Sequence, residues 1–321
     1  MKKRTLAMIL TGAMALGMLV GCGGGNSGDD SSADSGSSGG SKGKIGVFIA
    51  QNGNEFTMTV GNSAKEKGEA LGYEVSVFDG KADQDTQVGQ IENCITQGYA
   101  GLIVEPVSND GLNTVFRDAI SEGIPVVTVV QTCAVQDEIT AFVGADYEEA
   151  SYVEATAALE AIGGKGKVCI LKGQMGTSGE MVCSAGFDRA LKENPDVEVL
   201  ETQAADWQTD KGLQVTETWL QKYSDIDAIL AQDAPMALGA VKACQDAGKT
   251  DIVIIGRNGD SAALEAIKAG QMLLTVQSDP VGMGSKAAEV IDMAVNGEKT
   301  ESNYATDNTV INKDNVDDFL K

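Results

Sequence analysis

From Lys44 onward, apolar runs of five to seven residues alternate with amphipathic stretches of 12–18 residues. A continuous Val/Ile/Leu run bounded by turn residues reads as a strand buried on both faces. Apolar positions recurring every three to four residues read as one face of a helix. The pattern predicts strands at Ile45–Ala50, Glu74–Phe78, Gly101–Glu105, Pro125–Val130 and Ala141–Val143, then a second series at Lys167–Leu171, Glu198–Gln203, Ala228–Ala231, Ile252–Ile255 and Leu273–Gln277. Helical spacing covers Asn62–Leu71, Thr86–Gln97, Asn113–Glu122, Ala185–Lys192, Leu213–Lys222, Met236–Ala247 and Ala262–Lys268. Helix-start chemistry follows several strands: Ser108/Asn109 after Pro106, Asp233 with Pro235, and Asp260/Ser261 after Gly259. Helices stop at Gly72, Gly98, Gly123, Gly248 and Gly270. Two such series predict an α/β protein with two doubly wound parallel-sheet domains. A single closed barrel would leave units over.

The amino terminus has a different pattern. Met-Lys-Lys-Arg precedes an apolar run from Leu6 to Val20, short for a membrane span, which ends in Leu19-Val20-Gly21-Cys22. This looks like a bacterial lipobox, with Cys22 the expected site of lipidation. A cleaved secretory signal with an incidental cysteine, or an uncleaved anchor, is the plainer alternative. Residues 23–43 contain eight Gly and seven Ser and are expected to form a flexible tether, since such a sequence cannot bury apolar surface. The expectation is an exported protein, lipid-anchored to the outer face of the cell membrane, with its folded body starting near Lys44.

Composition narrows the chemistry. Lys+Arg is 24 against Asp+Glu 47, a net charge of −23, which repels phosphate backbones and argues against nucleic acid as a partner. Histidine is absent, which removes Ser-His-Asp and Cys-His activation and every His-containing zinc site. Six cysteines with no CxxC spacing argue against a disulfide framework or a metal cluster, and Cys94, Cys169 and Cys244 fall in apolar elements as core filler. Gly248-Lys249-Thr250 has the tail of a phosphate loop but follows a helix rather than a strand. Gly282-Met283-Gly284 imitates a dinucleotide fingerprint, yet Pro280 places it inside a helix, where close packing accounts for the glycines. No cofactor and no metal are expected.

Several segments occur together in a telling order: Lys44-Ile-Gly-Val-Phe-Ile-Ala50, Ile124-Pro-Val-Val-Thr128, Gly176-Thr-Ser178 with Gly186-Phe187, and Ala231-Gln-Asp-Ala-Pro-Met-Ala-Leu-Gly239. Ala247-Gly-Lys249, Ile254-Ile-Gly256 and Asn258-Gly259 follow them. From Lys44 to about Asn312, the chain resembles the ribose/galactose class of type I periplasmic binding proteins, which feed ABC importers. The resemblance implies two lobes joined by three hinge strands, with ligand in the cleft between them. Carried onto this chain, the crossings fall near Gly144–Asp146, Ser278–Asp279 and Asp307–Asn308. One lobe is then 44–145 plus 279–307 and the other 146–278 plus 308–321.

Open parallel sheets bind ligands beyond the carboxyl ends of their strands. The expected lining is Gln51, Asn54, Phe56, Gln131, Met175, Met181, Trp207, Asp233, Arg257 and Asn258, with Ser278 at a crossing. Phe56 and Trp207 match the family's stacking positions, although Trp207 could instead pack a loop. Asn54, Asp233 and Asn258 match its hydrogen-bonding positions, and Asp233 can also cap the helix at Pro235. Arg257 could point into the cleft or away from it. Where many sugar binders have Asp-Arg, this chain has Val130-Gln131, and Met181 stands where they place a bidentate Arg. A sugar, deoxy sugar, polyol, modified sugar or nucleoside-like ligand stays open. The resemblance implies a monomer that closes around its ligand, without chemistry, and docks on an ABC permease and its ATPase. A sensory binding protein serving a chemoreceptor or sensor kinase is the main alternative, and a secreted carboxylate-based glycosidase a second.

Overall fold

A computed structural model describes residues 41–320. Cys22, the apolar run before it and the tether as far as Gly40 lie outside the described residues. The chain is already tied down at Lys42, whose backbone N–H bonds the Gly72 carbonyl at 2.9 Å and whose ammonium pairs with Asp292 at 2.8 Å.

The first lobe is wound from β1 (Lys44–Ile49), α1 (Glu55–Ala70), β2 (Glu74–Asp79), α2 (Gln84–Thr96), β3 (Gly101–Val104), α3 (Asn113–Ser121), β4 (Val126–Val129) and β5 (Ala141–Ala145). The second continues with α4 (Tyr147–Ala161), β6 (Gly166–Lys172), α5 (Ser178–Glu193), β7 (Val197–Ala204), α6 (Thr209–Lys222), β8 (Ala228–Ala231), α7 (Ala234–Asp246), β9 (Val253–Gly256), α8 (Ser261–Lys268) and β10 (Leu274–Ser278). The chain then returns through α9 (Pro280–Val295) and β11 (Asn303–Thr306) before ending in β12 (Asn308–Asn312).

One sheet has the order β2-β1-β3-β4-β5-β11 and is parallel throughout. The other runs β7-β6-β8-β9, also parallel. The antiparallel pair β10-β12 lies beside it, joined by bonds from Leu273 N to Ile254 O and from Asn258 N to Val276 O. Helices flank both sheets, as the doubly wound reading requires. The chain passes between the layers after β5, after β10 and after β11.

Strands β3, β4 and β8 are buried at every position, which is why they appear as unbroken apolar runs. Helix starts are fixed by side-chain caps: Asn54 on α1, Asp83 on α2, Thr177 on α5, Asp233 on α7, Asp260 on α8 and Asp279 on α9. Helices α1 and α5 begin seven residues before the apolar spacing indicates, at Glu55 rather than Asn62 and at Ser178 rather than Ala185. Their first turns adjoin the interlobe cavity and mix apolar residues (Phe56, Met58, Met181) with polar ones and glycine off the helical period, so the apolar spacing starts late. Helix α4 escaped the pattern because its buried residues, from Tyr147 and Ala150 through Glu154 to Leu159, are mostly small or polar. Cys94, Cys133, Cys169, Cys183 and Cys244 are all buried and free.

Candidate functional site

In each sheet the connections leave the first strand in opposite directions, at β1/β3 and at β6/β8, and this opens a crevice beyond the strand ends. The two crevices face one cavity of about 530 Å³. The first lobe contributes Ala50, Gln51, Asn54, Phe56, Thr57, Glu105, Val130 and Gln131, and the second contributes Tyr147, Gly179, Trp207, Asp233, Pro235, Arg257 and Asn258.

Each side chain has a local reason for its position. Asn54 Oδ1 accepts the N–H groups of Phe56 (2.9 Å) and Thr57 (3.4 Å), seating Phe56 in the first turn of α1. Glu105 closes the apolar strand β3; its Oε2 accepts the Ala50 N–H at 3.1 Å, and its carbonyl accepts the amide of fully buried Gln87 at 2.9 Å. Asp233 caps α7 by accepting the Met236 N–H on Oδ1 at 3.0 Å. Arg257 is buried, its guanidinium carbon 3.8 Å from the Tyr147 ring centroid, and its Nε and Nη1 lack hydrogen-bond partners. The Trp207 indole lies against the backbone at Gly173, where a Cβ would come within 1.9 Å of the ring.

Backbone strain gathers here. Val130, Trp207 and Asn258, each just beyond a strand, have φ of 66°, 61° and 55°. Positive φ is unfavourable for non-glycine residues, most of all for a β-branched one, and costs about 1–3 kcal/mol each.

Among the described residues, five hydrogen bonds cross between the lobes, one of them from the Tyr147 hydroxyl to Met283 Sδ (3.7 Å). Asn109 N donates to Gly176 O (2.9 Å), Thr132 N to Ser178 Oγ (2.8 Å), Gly179 N to Gln131 Oε1 (3.2 Å) and Gln174 Nε2 to Ala82 O (3.3 Å). The lobes are therefore closed on each other. Burial dominates the electrostatics: it pushes the Glu105 and Asp233 carboxyls up to about 7 and that of Glu154, beneath the cavity on α4, up to about 8. The Arg257 charge acts in the opposite direction on Asp233 and Glu154.

Of the residues expected from the sequence, Gln51, Asn54, Phe56, Gln131, Trp207, Asp233, Arg257 and Asn258 share this lining. Met181 and Ser278 do not, and both expectations are corrected. Met181 is 45% exposed on α5, while Gly179, one half-turn earlier, meets the cavity in its place. Ser278 is 1% exposed and engaged at the crossing: its N–H donates to Asn258 Oδ1 (3.2 Å) and its hydroxyl to Asn308 Oδ1 (2.9 Å). Met175, at 59% exposure, is also outside. Sequence reasoning missed Glu105 and Tyr147. An acid ending the all-apolar run Gly101–Val104 was the available signal for the first, while Tyr147 had none, since α4 itself was not anticipated.

A family model described as a periplasmic binding protein domain matches residues 45–299, most of the chain. This chain is a periplasmic binding protein of the type I sugar-binding class. It is 34% identical to the xylitol-binding protein of Mycolicibacterium smegmatis over 73% of this chain and 67% of the relative. It is 30% identical to the ribose import binding protein of Bacillus subtilis, covering 80% and 83% respectively. Among solved structures, an ABC transporter solute-binding protein from Bacillus halodurans with bound myo-inositol superposes with a TM-score of 0.83 at 27% identity, over 88% of this chain and 98% of that one. As a periplasmic binding protein, the chain has its cavity where the fold's strand ends converge, between two lobes linked by three crossings.

Proposed function

We propose that this periplasmic binding protein is an extracytoplasmic lipoprotein, anchored through Cys22, that captures a small carbohydrate-like or polyol ligand between its lobes and delivers it to an ABC importer. The observation that carries the reading is the cavity itself. Paired donor-acceptor amides (Gln51, Asn54, Gln131, Asn258), two carboxyls and three aromatic side chains line one space from both lobes. Polyhydroxylated ligands need such a lining, because each buried hydroxyl left unpaired costs about 1–3 kcal/mol while CH faces favour aromatic surface. The named relatives bind xylitol or ribose, which supports the ligand class without choosing a member of it.

In this reading the lobes are residues 44–145 plus 279–307 and residues 146–278 plus 308–321. Ligand contacts from both favour the closed arrangement, with Phe56 and Trp207 flanking the ligand and Asn54, Asp233 and Asn258 bonding its hydroxyls. Delivery leaves the ligand chemically unchanged.

A thermal-shift screen of residues 23–321 against pentoses, hexoses, deoxy sugars, polyols and nucleosides tests this. A ligand at a hundred times its dissociation constant adds about 2.7 kcal/mol, visible as a raised melting temperature. Failure of every polyhydroxylated compound to raise it would refute the ligand class.

A further inference from the structure

The buried charges at the cavity do not balance. Three carboxyls, Glu105, Asp233 and Glu154, lie at or beneath it with at most 5% exposure, against a single guanidinium, Arg257. Arg257 serves the second lobe: its charge acts on Asp233 and Glu154, and it stacks on Tyr147. Glu105, on the first lobe, has no such neighbour. Around it are the Ala50 N–H at the end of β1, the Gln131 amide after β4, the Gln87 side chain from α2, and Tyr147 from α4, whose phenol burial keeps neutral. Among the described residues it forms no ion pair. Of its two oxygens, only Oε2 accepts a backbone N–H, and it lines the cavity at 3% exposure.

A carboxyl buried in this way must either stay protonated or meet a cation, since an isolated buried charge is strongly disfavoured. We propose that the cation is supplied by the ligand: Glu105 is a specificity-determining residue that accepts a protonated amino group, so the preferred ligands are amino-substituted sugars or polyols. The inference rests on the proposed function and narrows its ligand class. Its physical basis is that an ammonium turns the uncompensated carboxylate into a buried, charge-assisted hydrogen bond, whereas a neutral hydroxyl leaves the charge unmatched. The raised carboxyl, up to about 7, agrees with a group awaiting its partner.

Matched pairs provide the test, measured by isothermal titration calorimetry on residues 23–321: D-glucose with D-glucosamine, D-galactose with D-galactosamine, xylitol with 1-amino-1-deoxyxylitol, and myo-inositol with 1-amino-1-deoxy-myo-inositol. In at least one pair the amino member should bind at least tenfold tighter at pH 7. Its affinity should rise with pH below the carboxyl's midpoint, by up to about tenfold per unit, because the protonated carboxyl must shed its one proton to bind the ammonium. Glu105→Gln, which keeps an acceptor for Ala50, should abolish both the preference and this rise, with its melting curve checked for folding. If neutral members bind while amino members bind equally or worse, the inference is overturned and the proposed function stands. Affinity of a neutral member falling as pH rises, with the fall abolished in Glu105→Gln and so not due to Asp233 on the same lining, would likewise overturn it by showing Glu105 to be a protonated donor. If no member of any pair binds while a neutral compound of the thermal-shift screen does, the inference is overturned and the proposed function stands; if none of either set binds, the proposed function fails and takes the inference with it.

Discussion

At the residue scale, the site depends on contacts that a composition table hides. Trp207 holds its place because Gly173 offers bare backbone; a methyl there would lie 1.9 Å from the indole. Gly173→Ala should therefore displace the ring and weaken ligand binding about as much as Trp207→Ala does, both measured by titration with whichever ligand the screen identifies. Full affinity in either variant would mean the indole does not touch the ligand. The buried acids make a second prediction. Glu105, Asp233 and Glu154 rise from ordinary values of 4.5, 3.8 and 4.5 to about 7, 7 and 8. Between the two sets of values the folded ligand-free protein holds more protons than the unfolded chain, so stability falls as pH rises through this window. Below about 3.8 both states are protonated, and above about 8 both are ionised with the loss complete. Calorimetric melting should show a midpoint several degrees lower at pH 8.5 than at pH 5, and Glu154→Gln should shrink the difference. An unchanged difference in that variant would remove Glu154 from the account. Surface acids that repel one another act equally on both proteins and cancel in this comparison.

At the element scale, helix pairs approach closely at glycines. Gly284 in α9 faces α1 so tightly that a Cβ would fall 2.1 Å from the Val60 carbonyl oxygen. The dinucleotide-like spacing thus has two local causes: Gly284 is packed against α1, and Gly282 makes room for the Asp279 carboxylate that caps α9. Gly89 in α2 has open space around its missing side chain. Gly284→Ala should destabilise by about 1–3 kcal/mol through overpacking, whereas Gly89→Ala should stabilise by about 0.5–1 kcal/mol through helix propensity. Urea unfolding distinguishes the two directions, and equal effects would contradict the packing argument.

At the scale of the whole molecule, closure rests on a few bonds between the lobes. Thr132 N donates to Ser178 Oγ at 2.8 Å, joining the loop after β4 to the start of α5. Ser178→Ala removes that acceptor and should lower ligand affinity about two- to tenfold, the worth of one such bond, with small-angle scattering showing a larger ligand-free particle. The reverse result, an unchanged size and affinity, would show that this bond does not help hold the lobes together. No helix among the described residues is long and apolar enough to cross a membrane; the membrane attachment proposed here is through Cys22.

Local order was legible in the chain: each strand from β1 to β10 sits within a residue or two of the segment read for it, because central strands such as β3, β4 and β8, covered on both faces, must be apolar throughout, while the partly exposed edge strands β2 and β7 still carry β-branched residues between helices. The strand-end rule likewise pointed to Asn54, Phe56, Trp207 and Asp233, which share the cavity lining. Tertiary structure alone decided the rest. Strands β11 and β12 are short, partly exposed edge pieces whose pairing partners are distant in sequence, so no local pattern marks them. The burial of Glu105 depends on how two separately wound lobes meet, the pairing of Arg257 with Tyr147 and the exposure of Met181 on how the second lobe packs its own helices and strands, and a charge imbalance becomes visible only where packing has removed the water.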